Sequence, residues 1–384
     1  MAAAAALFAA CSASAQDLAV EYRNTVSLPA QAIDQSGVAF TVTGLSGLSY
    51  AGADRWWACM DNSNKLVELA VTFTPQGSML TATIVRGFSL PTSADTEDIV
   101  VAGSLAWLAD ESPLLRQVDL TTGALSRSMS LPAPFAQVRP NFGLESLTLA
   151  PKGVYWTANE EALAVDGPLS TPSAGTLVRL VRLMSSGPDL MATSQYAYLT
   201  APMHGPNTSQ ARSGLSALVA LPSGRVLSLE RSFAFNLASL FQSRIYELDF
   251  AAATQVQGLA SLVDPFPVPP VVPVSKRLLH QSFHANLEGL ALGPALVDGG
   301  RQLLGIVDDG DPLSVNQLVA FRLTGPIDPP CPADIDGDAD VDSDDTVAFF
   351  ARWDAGLPEG DLDADGDVDS DDIIAFFAAF ESGC

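Results

Sequence analysis

Near the end of the chain, aspartates recur at every second position in two stretches of twelve residues. The two stretches start 27 residues apart, and both carry valine at position 8, which a purely solvated acidic run would not place twice. A loop with oxygen ligands at positions 1, 3, 5, 9 and 12, and a backbone carbonyl at position 7, can wrap one calcium ion. The predicted ligands are Asp334, Asp336, Asp338, Asp340, Asp342 and Asp345 in the first loop and Asp361, Asp363, Asp365, Asp367, Asp369 and Asp372 in the second.

Each loop is followed by a short apolar segment, 346–353 or 373–380, that predicts a helix. Residues 331–384 hold 17 acidic residues and one basic residue, which marks them as a separate module. This module resembles a type I dockerin, whose last calcium ligand is Asp where an EF-hand has Glu. The resemblance implies that the protein docks onto a cohesin partner, and that the Ser-Asp pairs 343–344 and 370–371 help to select it.

A second group of acids lies in the first 325 residues, beside short apolar runs. Glu97, Glu145 and Glu288 each begin such a run. Five further acids end other runs, namely Asp61, Asp110, Glu160, Glu230 and Asp308. The three aspartates among them are individually more typical of turns than of ligands. A Glu that starts an apolar strand is harder to explain in this way, because a buried charge is retained where it is paired or binds a metal.

The apolar runs belong to a repeat with five visible copies. First strands are predicted at 46–50, 97–101, 145–149, 216–220 and 288–292, and each is followed by a turn, a second strand that ends in an acid and, in most copies, a third strand. This pattern is typical of propeller blades, so residues 16–325 are predicted to form an all-β propeller. The copies start 51, 48, 71 and 72 residues apart, whereas a blade commonly takes about 40 to 50 residues. We expect six blades, and five blades with long loops are the alternative.

The propeller geometry brings the acids together. The first strand of each blade starts at one face of the central channel, and the second strand returns antiparallel to that face. Carboxylates that converge on one rim repel one another unless a cation lies among them, and so many hard oxygen ligands suit calcium. Basic residues near this rim are few: Arg231, which is either a phosphate ligand or an ion-pair partner of Glu230, and Lys276, Arg277 and His284.

Eight segments, in order, resemble the phytase-like family, described as having esterase-like activity of phytase. They are GLSGLSY at 44–50, DTEDIV at 95–100, NFGLESLTL at 141–149, ANEEAL at 158–163, GRVLSLERSF at 224–233, RIYELDF at 244–250, NLEGLALGP at 286–294 and LLGIVDDG at 303–310. The resemblance implies a propeller and calcium-assisted hydrolysis of phosphate esters. It assigns functional positions to Glu97, Glu145, Glu160, Glu230, Glu288 and Asp308, with Arg231 and Lys276 as basic groups. The chain has Asp98 where the family commonly has Gly.

Several other chemistries and partners are not supported. The chain has no G-x-S-x-G nucleophile elbow and no G-x-x-x-x-G-K-[ST] phosphate loop. The net charge of −25, from 19 basic and 44 acidic residues, argues against binding to nucleic acid or to anionic membranes. No segment after the N-terminus has the roughly 18 apolar residues that a membrane span needs. If the protein is a hydrolase, carboxylates that hold a metal are the available means.

The ends of the chain predict export. Residues 1–15 are rich in Ala and end in Ala-Ser-Ala, which is typical of a signal peptide and a secreted or periplasmic protein. Cys331 and Cys384 bracket the acidic module, so we predict a disulfide between them. Cys59 stands in an apolar run and is predicted to be buried. Residues 326–330 are a proline-rich linker between the two domains.

Three hypotheses on function follow. The first is an exported phosphoric-ester hydrolase, in which calcium held by Glu97, Glu145, Glu160 and Glu288 neutralises the phosphate, and a dockerin tethers the enzyme to a cohesin partner. The second is a non-catalytic propeller that binds a ligand or a protein across its rim, with calcium in a structural role. The scarcity of basic residues favours this second hypothesis. The third is a hydrolase of carboxylic esters or lactones.

Overall fold

In a computed structural model of the chain, the described residues are 17–187, 189–236, 239–263, 270–309, 315–328, 331–335, 341–357, 360–363 and 367–382. The predicted signal peptide at 1–15, the predicted ligands Asp336, Asp338, Asp340 and Asp365, and Cys384 lie outside them. The chain divides into two compact units, Leu18–Ile327 and a unit that contains Asp328–Cys384.

The larger unit is a β-propeller of five four-stranded antiparallel blades. The strands that precede the first blade are β1 (Ala19–Ser27), β2 (Gln31–Ile33) and β3 (Ala39–Thr41). Blade 1 contains β4 (Leu45–Gly52), β5 (Arg55–Met60), β6 (Ser63–Phe73) and β7 (Met79–Ala94), and blade 2 contains β8 (Thr96–Ala102), β9 (Leu105–Asp110), β10 (Leu114–Asp119) and β11 (Leu125–Ser130). Blade 3 contains β12 (Leu144–Ala150), β13 (Val154–Asn159), β14 (Leu177–Ser186) and β15 (Asp189–Leu199). Blade 4 contains β16 (Arg212–Ala220), β17 (Val226–Phe233), β18 (Phe241–Asp249) and β19 (Ser275–Ser282), and blade 5 contains β20 (Leu287–Ala295), β21 (Arg301–Val307), β22 (Gln317–Thr324) and β1.

The five predicted repeats are confirmed as blades, but the prediction of six blades is wrong. The N-terminal strand β1 pairs antiparallel with β22, from Ala19 opposite Thr324 to Ser27 opposite Gln317, and so completes blade 5. The inner strands β4, β8, β12, β16 and β20 contact one another in a closed ring. Among the described residues, the additional chain length in blades 3 and 4 lies in connections between strands and forms no sixth sheet.

The core lies between neighbouring blades, with one main apolar cluster at each interface. Trp56 packs with Leu304 between blades 1 and 5, whereas the adjacent Trp57 packs with Leu108 between blades 1 and 2. Successive side chains of a strand point to opposite faces of its sheet. An apolar run in one strand therefore supplies both of its interfaces, which explains why these strands are apolar on both faces.

The smaller unit contains two helices that follow the aspartate loops, α1 (Ser343–Asp354) and α2 (Ser370–Ser382). The N-terminus of α1 has a capping box, in which Asp342 accepts from the N–H of Asp344 and Asp345 accepts from the N–H of Asp342. The core of this unit includes Phe349 and Phe376, whose parallel rings stack with centroids 4.4 Å apart. These two residues lie 27 positions apart, the spacing of the two loops, so the repeat in the sequence is also a repeat in the packing.

Two further expectations concern cysteines and membranes. Cys59 is fully buried and is a free thiol, as predicted. Cys331 is disulfide-bonded, and its predicted partner lies outside the described residues, so the pairing stays a prediction. Neither of the two helices in the described part of the chain is long and apolar enough to cross a membrane.

Candidate functional site

β-Bulges aim three glutamates at the propeller axis. The neighbours of Glu97 in β8 lie opposite the adjacent residues Asp110 and Ala109, so Glu97 is an extra residue with no partner across the ladder. Glu145 in β12 and Glu288 in β20 are extra residues of the same kind. A bulge re-aims a side chain that regular pleating would direct elsewhere. All three bulges lie near the same end of the inner strands, so the three side chains line one cavity.

The cavity has a volume of about 900 Å³ and a strongly acidic wall. Charged residues of the wall are Asp61, Asp95, Glu97, Glu111, Glu145, Glu288 and Asp308, with Arg212 and Arg231. Five of the eight sequence-predicted catalytic positions are among them. Burial raises the pKa of Asp61 to about 6, and the nearby carboxylate of Asp308 adds to the rise.

Three carboxylates of this wall form a compact cluster. Glu97, Glu111 and Glu145 each offer an oxygen, and these oxygens lie within 4.8 Å of one another. Oε2 of Glu111 accepts from the backbone N–H of Gly143 at 3.0 Å. Oε1 of Glu111 is buried and has no hydrogen-bond partner among the residues that the structure describes. The cluster therefore has an orphaned oxygen, which is what a bound cation would satisfy.

Sequence reasoning missed Glu111. It directly follows Asp110, the acid that the repeat pattern singled out at the end of β9. The side chain of Asp110 is instead paired with Arg116, which donates from Nε and Nη2 at 2.6 and 2.9 Å. One sequence signal could have identified Glu111. It is the first residue after the second strand of its blade, and Glu160 occupies the same position after β13 in blade 3.

Burial and mutual repulsion favour the protonated form of the cluster. Burial raises the pKa of Glu97 well above its ordinary value, and the carboxylate of Glu288 adds to the rise. Burial also raises the pKa of Glu145 strongly, with Glu97 as the next cause. For Glu111, burial outweighs the hydrogen bond from Gly143 and raises the pKa to about 7. Such a cluster binds either protons or a cation.

Arg231 is buried and holds carboxylates of two other blades. Its Nη2 donates to Oε1 of Glu160 at 2.8 Å, and its Nη1 lies 2.8 Å from Oε1 of Glu288. The same Nη1 donates to Oδ1 of Asn286 at 2.9 Å, and Asn286 in turn donates to Asp308 at 2.9 Å. Burial raises the pKa of Glu288 to about 7, since Arg231 offsets only part of this rise and Asp308 adds to it. Arg231 thus positions Glu160 and Glu288, and Asn286 joins them to Asp308.

Arg212 is a second cation of the cavity wall, and no sequence signal marked it. It begins β16 and lies opposite Phe233 of β17. No ion pair or hydrogen bond of its guanidinium is found among the described residues. Its charge lowers the pKa of both Glu111 and Glu288, so it lies close to both carboxylates. Of the two arginines in the described wall, Arg231 is paired with carboxylates, so Arg212 is the one that can bind an anionic ligand.

Glu230 and Lys276 do not reach the cavity. Glu230 is fully buried, forms an ion pair with Nζ of Lys276, and accepts from the Tyr198 hydroxyl at 2.5 Å and from the N–H of Ala201 at 2.9 Å. The ammonium of Lys276 also lies 4.6 and 4.4 Å from the ring centroids of Tyr198 and Tyr246. These contacts join blades 3 and 4 and give both residues a structural role.

The orientation of Glu230 follows from the length of β17. The sequence suggested that this strand ends at Glu230, but it continues to Phe233. Because side chains alternate along a strand, Glu230 and Arg231 point to opposite faces, and Arg231 alone faces the cavity.

The remaining predicted basic groups lie elsewhere. Arg277 pairs with Glu247 at an exposed site, at 2.5 Å. The ring of His284 packs against Tyr22 and Phe321, with centroid distances of 5.0 and 5.8 Å. Burial lowers the pKa of His284 to about 4, so it is neutral at neutral pH.

Asp98, at a position where the sequence resemblance leads to an expectation of Gly, ties the inner strands together. Its carboxylate accepts from the N–H of Leu147 in β12 at 2.6 Å and from the N–H of Ile99 at 2.8 Å. A Cβ at Gly47 of β4 would lie 2.4 Å from Cα of Asp98, so the two inner strands are in close contact. The Asp98 side chain thus supplies a hydrogen bond between the inner strands β8 and β12. Its neighbour Glu97 lines the cavity, and Asp98 does not.

In the smaller unit, the described part of the second aspartate loop also clusters oxygens. Asp361, Asp363 and Asp372 each offer an oxygen within 4.8 Å of the others. Asp372 is buried and accepts from the N–H groups of Leu362 at 2.6 Å and Asp369 at 2.8 Å. Although desolvation opposes the change, these backbone hydrogen bonds lower the pKa of Asp372, so it is ionised at neutral pH.

The first loop repeats this arrangement. Asp345 is buried and accepts from the N–H groups of Ile335 at 2.6 Å and Asp342 at 2.9 Å. Both loops therefore place their last aspartate inward, where it ties the loop to the start of its helix. This position is the twelfth of the predicted calcium loop, where the side chain would close the ligand shell.

A comparison with protein-family models finds one match in the larger unit. The model described as phytase-like, esterase-like activity of phytase, matches residues 41–311. None of the curated proteins matches the chain.

Proposed function

The chain belongs to the phytase-like family, whose model covers more than half of it, and on this premise we propose that it is a calcium-dependent phosphoric-ester hydrolase. The observation that carries the proposal is the cluster of Glu97, Glu111 and Glu145, whose oxygens lie within 4.8 Å of one another beside an orphaned buried oxygen. Three carboxylates on inner strands and an adjacent loop suit a hard divalent cation.

The residues present fit calcium. Glu97, Glu111 and Glu145 would hold the ion, and the raised pKa values of all three reflect the cation-free state of a site that is built for positive charge. Calcium would supply neutralisation of the phosphate charge and polarisation of a water molecule. This ligand set differs from the one expected from the sequence, because Glu160 and Glu288 are committed to Arg231.

The protein's own groups divide the remaining tasks. Arg212 binds a phosphate oxygen, since its guanidinium faces the cavity without an ion pair in the described part of the chain. Arg231 keeps Glu160 and Glu288 in place. Water adds its oxygen to phosphorus, the bond from phosphorus to the ester oxygen breaks, and the alcohol leaves with one proton. Asp61, a carboxyl group of the same cavity wall, can give that proton and recover it from water.

We extend the proposal to the smaller unit, which we regard as a calcium-binding dockerin for a cohesin partner. The inward positions of Asp345 and Asp372, the helices α1 and α2, and the stacked pair of Phe349 and Phe376 support two related calcium-loop and helix units. Export is part of this proposal, and the disulfide at Cys331 supports an oxidising compartment.

Phosphate release by the full chain tests the enzyme. Simple phosphomonoesters and phytate are supplied with calcium or with chelator, and Glu111→Gln is compared with wild type. We expect calcium-dependent release that falls at least about 100-fold in Glu111→Gln, because a neutral amide is a poor substitute for a carboxylate ligand. Asp361→Asn, the same kind of change in the tail, is the matched control and should retain the release.

A second function, ligand binding without catalysis, is favoured by one observation. Of the two arginines in the described cavity wall, Arg231 is already held by Glu160 and Glu288, which leaves little positive charge for a phosphate. If the folded, calcium-loaded protein releases phosphate from no ester, the hydrolase proposal fails and this binding function takes its place.

A further inference from the structure

The side of the cavity formed by blade 4 is aromatic. Phe233, Phe235 and Phe241 line it together with Leu240. The ring centroid of Phe233 lies 5.4 Å from that of Phe235 and 5.1 Å from that of Phe241, both within the range of favourable aromatic pairs. Phe235 lines this side and is 50% exposed, so a large apolar side chain is accessible to a ligand. Burial of that surface by a ligand would be favourable.

Two phenylalanines of the aromatic wall are held in place by regular structure. Phe233 and Phe241 lie opposite each other in the ladder of β17 and β18, and the N–H of Ala234 donates to the carbonyl of Leu240 at 2.9 Å. The ring of His204 hydrogen-bonds Ser232 at 2.8 Å and so braces the same hairpin. Phe233 and Phe241 therefore form a preformed part of this wall, and Phe235 lies two residues beyond the end of β17 and contacts Phe233.

The carboxylate cluster belongs to other blades than the aromatic wall. Glu97, Glu111 and Glu145 come from blades 2 and 3 and the connection that follows β9, whereas the aromatic residues come from the end of the β17–β18 hairpin. Arg212 links the two regions, since it lies opposite Phe233 and lines the same cavity as Glu111. One cavity thus offers an anion-binding cation beside an apolar surface.

We propose that the cavity selects phosphomonoesters with an aromatic or other apolar leaving group, which packs on Phe235 while the phosphate lies at Arg212 and the carboxylate cluster. This inference rests on the proposed hydrolase function and narrows its substrate class. A substrate with phosphates on every side would bring negative charge to a wall where seven carboxylates face two guanidiniums. A single phosphate on an apolar group avoids most of this repulsion.

The test compares two esters that differ in the leaving group. The full chain with calcium is given naphthyl phosphate or glycerol 2-phosphate, and Phe235→Ala is compared with wild type. We expect kcat/KM for naphthyl phosphate to fall about tenfold in Phe235→Ala, with little change for glycerol 2-phosphate, because only the first ester contacts the ring. Phe235→Leu should retain part of the preference. Phe283→Ala, which removes an exposed ring outside the cavity wall, is the matched control and should behave as wild type.

Binding of naphthylphosphonate and methylphosphonate, measured by calorimetry with calcium present, separates this inference from the hydrolase proposal. If neither ester is hydrolysed but naphthylphosphonate binds more tightly and loses about tenfold in affinity in Phe235→Ala, the apolar subsite stands and the hydrolase fails. If both esters are hydrolysed and Phe235→Ala changes both equally or neither, the hydrolase stands and the inference is wrong. Equal or absent binding of the two phosphonates in wild type also overturns it.

Discussion

Nη2 of Arg231 lies 2.8 Å from Oε1 of Glu160, which connects a strand of blade 4 to the residue that follows β13 in blade 3. The same guanidinium pairs with Glu288 of blade 5, also at 2.8 Å. A single buried cation therefore serves carboxylates from two other blades. Removing it would take the ion-pair partner from two buried acids, whereas the cavity would keep its shape from the ladders of the inner strands.

Replacing Arg231 with Gln should destabilise the propeller by about 3 kcal/mol or more, because breaking a buried ion pair leaves the partner charge uncompensated. The free energy of unfolding from chemical denaturation of the full chain measures this. Arg225→Gln is the matched control, since Arg225 pairs with Glu247 at an exposed site and should cost less than about 1 kcal/mol. Equal losses in the two variants would mean that the buried network is not a stability element.

Gly143 lies against Glu111, and we expect that no larger residue fits there. A Cβ at position 143 would lie 1.7 Å from the carbonyl oxygen of Glu111, so Gly143→Ala must displace backbone. The cost should be roughly 3 kcal/mol, and calcium affinity should fall with it because Gly143 also donates to Oε2 of Glu111.

Gly224→Ala is the control for this effect. Gly224 has a φ of 83°, and a Cβ at this position would have no other atom within 4 Å, so Ala there adds only backbone strain of roughly 1 to 2 kcal/mol. Thermal unfolding and calcium titration of both variants decide the point. A Gly143→Ala protein that binds calcium as tightly as wild type would separate Glu111 from the metal site.

The metal-free propeller should become less stable as the pH rises from about 4.5 to 7. Glu111 titrates at about 7 in the folded chain instead of its ordinary 4.5, so the folded state binds more protons than the unfolded state in this range. The free energy of unfolding therefore falls with rising pH, by on the order of 3 kcal/mol for this group. Calorimetry of the full chain after calcium removal, at several pH values, measures the slope.

Calcium should reverse this dependence, because the ion binds the ionised carboxylates and competes with protons. Glu111→Gln should flatten the slope of the metal-free protein. Asp119→Asn is the control. Hydrogen bonds with Thr121 lower the pKa of this exposed acid, so it titrates below pH 4.5 and its replacement should leave the slope between pH 4.5 and 7 unchanged. A metal-free protein that gains stability from pH 4.5 to 7 would contradict the raised pKa of the cluster.

The sequence located the blades and part of the site because both depend on short-range patterns. Glu97, Glu145 and Glu288 were found since an acid before an apolar run is conspicuous, and the bulges that aim them occur at that same boundary. The prediction for Glu230 is wrong because the polar residues Arg231 and Ser232 indicate a strand end, whereas β17 continues to Phe233. In the structure, β17 pairs through these polar residues.

Other features depend on contacts that the sequence does not encode locally. Arg212 has no motif, and its place in the cavity is set by pairing with a residue 21 positions away. The number of blades was overestimated because spacing alone does not distinguish loops from strands. The closing strand β1 pairs with β22, which lies at the other end of the domain in the sequence. This pairing follows from closure of the ring and has no local sequence pattern.

Calcium removal should unfold the smaller unit while the propeller stays folded. Buried Asp345 and Asp372 are ligands in the proposed loops, and at 100 times the dissociation constant each bound ion would contribute about 2.7 kcal/mol, a large share of the stability of so small a unit. Limited proteolysis of the full chain with an acid-specific protease, followed by mass spectrometry, should cut 331–384 rapidly in chelator and slowly in calcium. Asp372→Asn should be cut rapidly in both, whereas the exposed neighbour Asp371→Asn should behave as wild type. Equal protection of wild type in chelator and in calcium would show that these loops do not need the ion to fold.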